Sequence, residues 1–220
     1  MRAGGRLGVA ALDLGCGATL VNRPDERFPM CSTFKFLAAS AVLAKVDRGL
    51  ERLDRHIAYS RTDLVEHSPV TLCEAAMTQS DNGAANLILR SLHGPGGVTR
   101  YARSVGDAKT RLDRMEPELN DSVPGDARDT TTPRSMATNL RRIVLGSALS
   151  PAAQGRLQTW MLAAQTGLTL LRWAARSTRT ATTTRATTSR SYGRCRAFKR
   201  ARTGVSGRKV TSGSDRKSVV

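Results

Sequence analysis

The aliphatic pattern of this chain stops at about Leu171, which confines any packed core to the residues before it. From Trp173 to Val220 the sequence is mostly Arg, Thr, Ser, Ala and Gly, with apolar residues only scattered. Such a stretch cannot bury enough apolar surface to offset the entropy of ordering its backbone. The charge divides at the same place. Residues 1–172 hold 22 basic and 17 acidic side chains, whereas residues 173–220 hold 13 basic and 1 acidic. The net charge of +17 therefore belongs mainly to the tail, and the body has the balance of an ordinary enzyme. A basic tail attracts polyanions without any defined site. The sequence thus reads as one domain over 1–172 and a basic disordered tail over 173–220. Thr180 to Arg194 (TATTTRATTSRSYGR) reads as the product of a shifted reading frame, with the change near Arg172.

Within the body, strand and helix signals can be placed in order. Leu7 to Leu14 and Ala18 to Asn22 read as strands joined by a Gly15-Cys16-Gly17 turn. Phe28-Pro29-Met30-Cys31 leads into a helix over about Thr33 to Asp47, with Gly49 as its stop. Leu72 to Met77 forms a second apolar segment. Gly83 to Leu92 reads as a helix, and Gly94-Pro95-Gly96-Gly97 as a break before another over Val98 to Val105. Asp107 to Asp129 is polar and contains Pro and Gly, as a long functional loop does. Thr132-Pro133 starts a helix carrying Met136, Leu140, Ile143 and Val144, and Pro151 starts another through Leu157 and Trp160 to Leu162. No apolar run is long enough to span a membrane. Asp13 interrupts the first apolar stretch, so the N-terminus is no signal peptide, and Met1 reads as an internal start.

Three short motifs carry chemistry. Ser32-Thr33-Phe34-Lys35 places a hydroxyl and an amine three residues apart on one face of a helix. The amine can act on the hydroxyl's proton, which turns a weak nucleophile into a useful one. Free N–H groups at a helix start favour developing negative charge, and the N–H of Ser32 itself would supply half of an oxyanion hole. A serine there also serves as a helix cap. Ser80-Asp81-Asn82 follows, in residue types that also favour turns between helices. Glu116-Pro117-Glu118-Leu119-Asn120 comes third. The cysteines Cys16, Cys31, Cys73 and Cys195 fit no zinc spacing, and His56, His67 and His93 sit near no second ligand type. No metal and no cofactor is expected.

S-x-x-K, S-D-N and E-x-E-L-N in that order are specific, and the first two are signatures of class A β-lactamases and penicillin-binding proteins. The chain resembles a class A serine β-lactamase from about Arg6 to Leu171. The resemblance implies an α+β fold: the α-helical subdomain plus an N-terminal β-hairpin, most of the C-terminal antiparallel strands being missing. It implies β-lactam hydrolysis through a serine acyl-enzyme and makes 1–172 an incomplete catalytic domain. Ser32 would be the nucleophile and Lys35 the amine that helps deprotonate it. Ser80 would relay a proton to the β-lactam nitrogen. Asn82 would hold the substrate amide and contact Lys35, and Asp81 would be structural. Glu116 would be the general base for a water that Asn120 helps to fix. Arg111 and Asp129 would brace the loop by a salt bridge.

The resemblance also implies a monomer acting on a small β-lactam, with no specific nucleic acid or membrane partner. Its members are periplasmic or secreted; without a signal peptide this chain would be cytoplasmic as given. Some members form disulfides at the positions of Cys31 and Cys73, but both are read here as small buried residues without one. Three departures stand out. The connection from Ser68-Pro69 to Ser80 is short, the helix before the first strand is missing, and the K-T-G strand motif is absent. Arg202-Thr203-Gly204, in the tail, is read as a coincidence. The missing strand puts the activity of this chain in doubt. Two alternatives stay open: a penicillin-binding-type D,D-peptidase fragment, and a basic nucleic-acid-binding protein.

Overall fold

The computed structural model describes residues 5–53 and 72–166. Expectations for residues outside those ranges, including the tail over 173–220 and Arg202-Thr203-Gly204, lie outside the described residues.

One helix organises the rest. α1 (Phe34–Asp47) is buried on every side from Phe34 to Ala44. A helix that is apolar all round belongs inside a core rather than on a surface. Its small residues, Ala38, Ala39, Ser40, Ala41 and Ala44, let neighbours approach closely, and the Ser40 hydroxyl is satisfied by donating to the Phe36 carbonyl at 2.7 Å. Against it pack α2 (Leu72–Thr78), α3 (Asn82–Ser91), α4 (Gly96–Ser104) and α6 (Pro151–Ala163). Leu37, Leu43, Ile88, Leu89, Val98, Leu112, Ile143 and Leu157 fill the space between them, each 2 % exposed or less. Full burial of such a side chain contributes roughly 1.5–3 kcal/mol.

The helix ends have local causes. α1 stops where Gly49 takes a left-handed φ of 68°; its N–H bonds the Val46 carbonyl, and the Leu50 N–H bonds that of Lys45. This pair of bonds is the Schellman closure, and glycine is the residue that adopts it without strain. α3 closes the same way with His93 at φ 61°, a position where sequence offers no glycine signal. Asp81, expected to be structural, caps α3 by accepting from the Ala84 N–H at 2.7 Å. Thr132 caps α5 (Pro133–Leu140), which runs on into a wider π turn over Arg141–Leu145. Ser150 caps α6.

The strands are few among the described residues. β1 (Val9–Leu12) pairs antiparallel with β2 (Thr19–Asn22), as the hairpin reading expects. β3 (Phe28–Pro29) pairs with β4 (Thr130–Thr131), a contact that sequence reading did not anticipate. This ties the end of the long loop to the segment just ahead of Ser32. The mixed architecture is that of the α+β expectation. One boundary changes: Gly96 and Gly97 open α4 rather than break before it.

Gly97 has a packing reason. A Cβ there would lie 2.3 Å from the Leu92 carbonyl oxygen, which also accepts from Arg100 at 3.0 Å. Gly97→Ala is therefore expected to push α4 off the end of α3 and to destabilise the fold by about 1–3 kcal/mol in denaturant titration. An unchanged midpoint would mean that the α3–α4 corner is not packed this tightly.

Candidate active site

Ser32 stands in a single 3-10 turn, Cys31–Thr33, that runs directly into the buried helix. The turn is held by the Thr33 hydroxyl, which donates to the Met30 carbonyl at 2.5 Å. Cys31 has a left-handed φ of 42°, and Ser80, across the site, one of 59°. Left-handed backbone at non-glycine residues costs energy and persists where surrounding contacts hold it. At Ser80 the contact is visible, because its own carbonyl accepts from Lys35.

Lys35 is the centre of the arrangement. Its side chain is 2 % exposed, and its ammonium lies 2.6 Å from the Ser80 carbonyl and 2.7 Å from Asn82 Oδ1. The same nitrogen is 3.0 Å from Ser80 Oγ and 3.2 Å from Ser32 Oγ. Ser80 Oγ in turn donates to Ser32 Oγ at 2.9 Å. The spacing argument places Ser32 and Lys35 on one face, and the structure brings Ser80 and Asn82 to them. Burial drives the Lys35 pKa below the ordinary lysine value, with the Glu116 carboxylate partly opposing the shift.

Glu116 approaches from the long loop. Its Oε1 is 3.6 Å from the Lys35 ammonium, and both side chains are buried. Oε1 has no hydrogen-bond partner among the described residues, while Oε2 accepts from Asn120 at 2.6 Å. Buried carboxylate oxygens are rarely left unpaired, so Oε1 is a place for an incoming polar group. Asn86 holds the backbone of Glu116 from both sides, accepting from its N–H and donating to its carbonyl, each at 2.9 Å. Sequence reading missed Asn86. Its signal was its position one turn after Asn82, on the same face of α3.

The loop brace is not the expected one. Arg111 pairs with its exposed neighbour Asp113, whereas Arg114 Nε donates to Asp129 Oδ2 at 2.6 Å. Asp129 is 1 % exposed and also accepts from the N–H groups of Asp113 and Arg114. Its φ of 56° turns the chain so that its carbonyl meets the Met30 N–H at 2.9 Å. The Arg–Asp clamp thus joins the loop to the turn that carries Ser32. A second anchor lies at the loop's start, where the buried Asp107 carboxylate accepts from Thr110 and, at 2.6 Å, from Asn139. Burial works against that charge, but these hydrogen bonds hold its pKa below the usual carboxylate value.

Ser32, Lys35 and Ser80 line a cavity of about 320 Å³ together with Met77, Met136, Leu140 and Met161. Cys31, expected to be buried, is partly exposed beside it, and burial together with the Glu116 charge raises its thiol pKa. Cys73 is a buried free thiol, pushed up to about 12 by burial. Among the described residues no group of three His, Cys, Asp or Glu side chains is placed to hold a metal ion. No helix among them is long and apolar enough to cross a membrane.

The model of the beta-lactamase enzyme family matches residues 1–179. The chain belongs to that family. Solved class A β-lactamases are similar to it. An ancestral Gram-negative class A β-lactamase shares 58% identity at a TM-score of 0.71, the match covering 75% of this chain and 68% of that one. A structure described as a putative class A β-lactamase, PenP from Rhodopseudomonas palustris, shares 56% identity at 0.70, covering 74% and 67%. This membership supports β-lactam hydrolysis in general as the activity, and a hydrolase as the enzyme class.

The two arginines of the loop predict different costs. Arg114→Ala leaves Asp129 buried and unpaired and is expected to destabilise by about 3 kcal/mol. Arg111→Ala removes an exposed pair and should cost about 0–1 kcal/mol. Thermal unfolding of the two variants checks this; equal losses would contradict the assignment of the clamp to Arg114.

Proposed function

We propose that this β-lactamase-family chain opens β-lactam rings through a covalent acyl-enzyme on Ser32. Ser32 Oγ attacks the lactam carbonyl carbon, and its proton passes to Lys35 in its unprotonated form, which the lowered pKa makes easier to reach. The N–H of Ser32 takes up charge on the carbonyl oxygen. The ring C–N bond breaks as Ser80 Oγ delivers a proton to the nitrogen, and Lys35 replaces the proton on Ser80. Asn82 and the apolar wall of Met136 and Met161 hold the substrate's side chain. In the second stage Glu116 takes a proton from a water, positioned with Asn120, that attacks the acyl carbon; the ester C–O bond then breaks and the proton returns from Glu116 to Ser32 Oγ, restoring the hydroxyl and the carboxylate.

One observation carries this reading. A single buried amine lies 3.2 Å from Ser32 Oγ and 3.0 Å from Ser80 Oγ, with a carboxylate oxygen lacking a hydrogen-bond partner 3.6 Å away. The amine reaches both the group that must lose a proton and the group that must give one. The Glu116–Asn120 pair favours hydrolysis over the long-lived acyl-enzyme of a D,D-peptidase.

The sequence contains no K-T-G, the motif that in the resemblance supplies a second oxyanion donor and a cation for the substrate carboxylate. Loss of one such donor typically costs about 10²–10³ in rate. Acylation and deacylation both pass through an oxyanion, so both are expected to be slow, with turnover far below that of relatives that carry the motif.

A fluorescent penicillin should label the wild-type chain on the Ser32 peptide and leave Ser32→Ala unlabelled. Glu116→Gln should keep the label and lose it at least tenfold more slowly than wild type. Label on another peptide would sink the nucleophile assignment, and equal release rates would exclude Glu116 as the base.

A further inference from the structure

A second and larger cavity lies away from Ser32 and shares no lining residue with the first. It has a volume of about 740 Å³, in the range of sites that hold small organic ligands. Three arginines line it: Arg48 just past the end of α1, and Arg141 and Arg142 in the π turn. No acidic side chain lines it among the described residues. Asp47 is next in sequence to Arg48, but its carboxylate is engaged by Ser150, through the backbone N–H at 2.8 Å and the hydroxyl at 2.6 Å. Arg142 donates to the Val105 carbonyl, which holds it at the wall.

Tyr101 of α4 also contributes to the lining; it is 8 % exposed, and its hydroxyl is shielded from solvent with no hydrogen-bond partner among the described residues. Burial raises the phenol's pKa well above its ordinary value, with Arg48 only partly opposing. Ser147 and the apolar side chains of Leu14 and Leu145 complete the lining, which thus offers both cationic and apolar groups.

We propose that this cavity is a binding site for a small organic anion, with its oxyanion toward Arg48 and Arg141 and its apolar body against Leu14 and Leu145. The chemistry is that of an arginine pair around a phosphate, sulfonate or carboxylate head. A neutral ligand would leave the arginine charges uncompensated. Inorganic phosphate alone would leave the apolar groups of the lining uncovered. The site does not take part in ring opening, because none of its residues lines the Ser32 cavity.

The test uses the full chain and 1-naphthyl phosphate, with 1-naphthol and inorganic phosphate as comparison probes. The 13 basic residues of 173–220 attract any anion, so the readout is the difference between wild type and site variants. Calorimetry at moderate salt should show 1-naphthyl phosphate binding at least tenfold tighter than either comparison probe. The exposed changes Arg48→Gln and Arg141→Gln together should weaken it at least tenfold. In NMR spectra the amides of Ser104 and Ser147 should shift on addition of the probe, and those of Ser32 and Ser80 should not. Equal affinity in wild type and the double variant, or shifts confined to other residues, would overturn the proposal. So would equally tight binding of 1-naphthol, which would make the cavity merely apolar.

Discussion

The structure depends on keeping one amine inside the protein. Lys35 belongs to the buried helix α1 and its side chain is only 2 % exposed, so its ammonium relies on protein acceptors. A buried ammonium needs acceptors, and each acceptor fixes a different part of the chain. The Ser80 carbonyl fixes the turn between α2 and α3, Asn82 Oδ1 fixes the start of α3, and Glu116 fixes the long loop. The left-handed φ of Ser80 is sustained by this demand. Site geometry and fold stability are therefore the same problem at Lys35, and removing the charge loosens three segments at once.

The loop that carries Glu116 is held at its ends rather than along its length. Asp107 gathers the first turn, and Asp129, paired with Arg114, closes the last one onto Met30. Between these anchors Asn86 grips the Glu116 backbone from α3. A carboxylate placed this way has little freedom to turn away from Lys35. The role proposed for it, a base that must meet a water in one position, requires such placement.

The parts legible in sequence were those with a fixed spacing. Ser32 and Lys35 sit three residues apart on a helix, so their proximity follows from helix geometry alone. Asp81, expected only to be structural, turns out to cap α3. The order of the three motifs pointed to the family, and the family match agrees. What could not be read was which of several like residues turns inward in an aperiodic segment. Arg111 and Arg114 are equivalent on paper; only the left-handed turn at Asp129 decides that Arg114 faces it. The β3–β4 pairing joins residues about a hundred positions apart and has no local signal. His93 closes α3 without the glycine that usually marks such an end, and Tyr101 reads as an ordinary helix residue until its hydroxyl is seen to lack a partner.

The most direct test of this account is a titration of the Lys35 amine itself, by NMR of selectively labelled lysine side chains. The account predicts a pKa below the ordinary lysine value of 10.5, because burial disfavours the charge more than Glu116 restores it. In Glu116→Gln the value should fall further, since the nearby carboxylate that raises it is gone. A Lys35 that titrates at the ordinary value, or one unmoved by Glu116→Gln, would contradict the claim that a buried, shared amine organises this site.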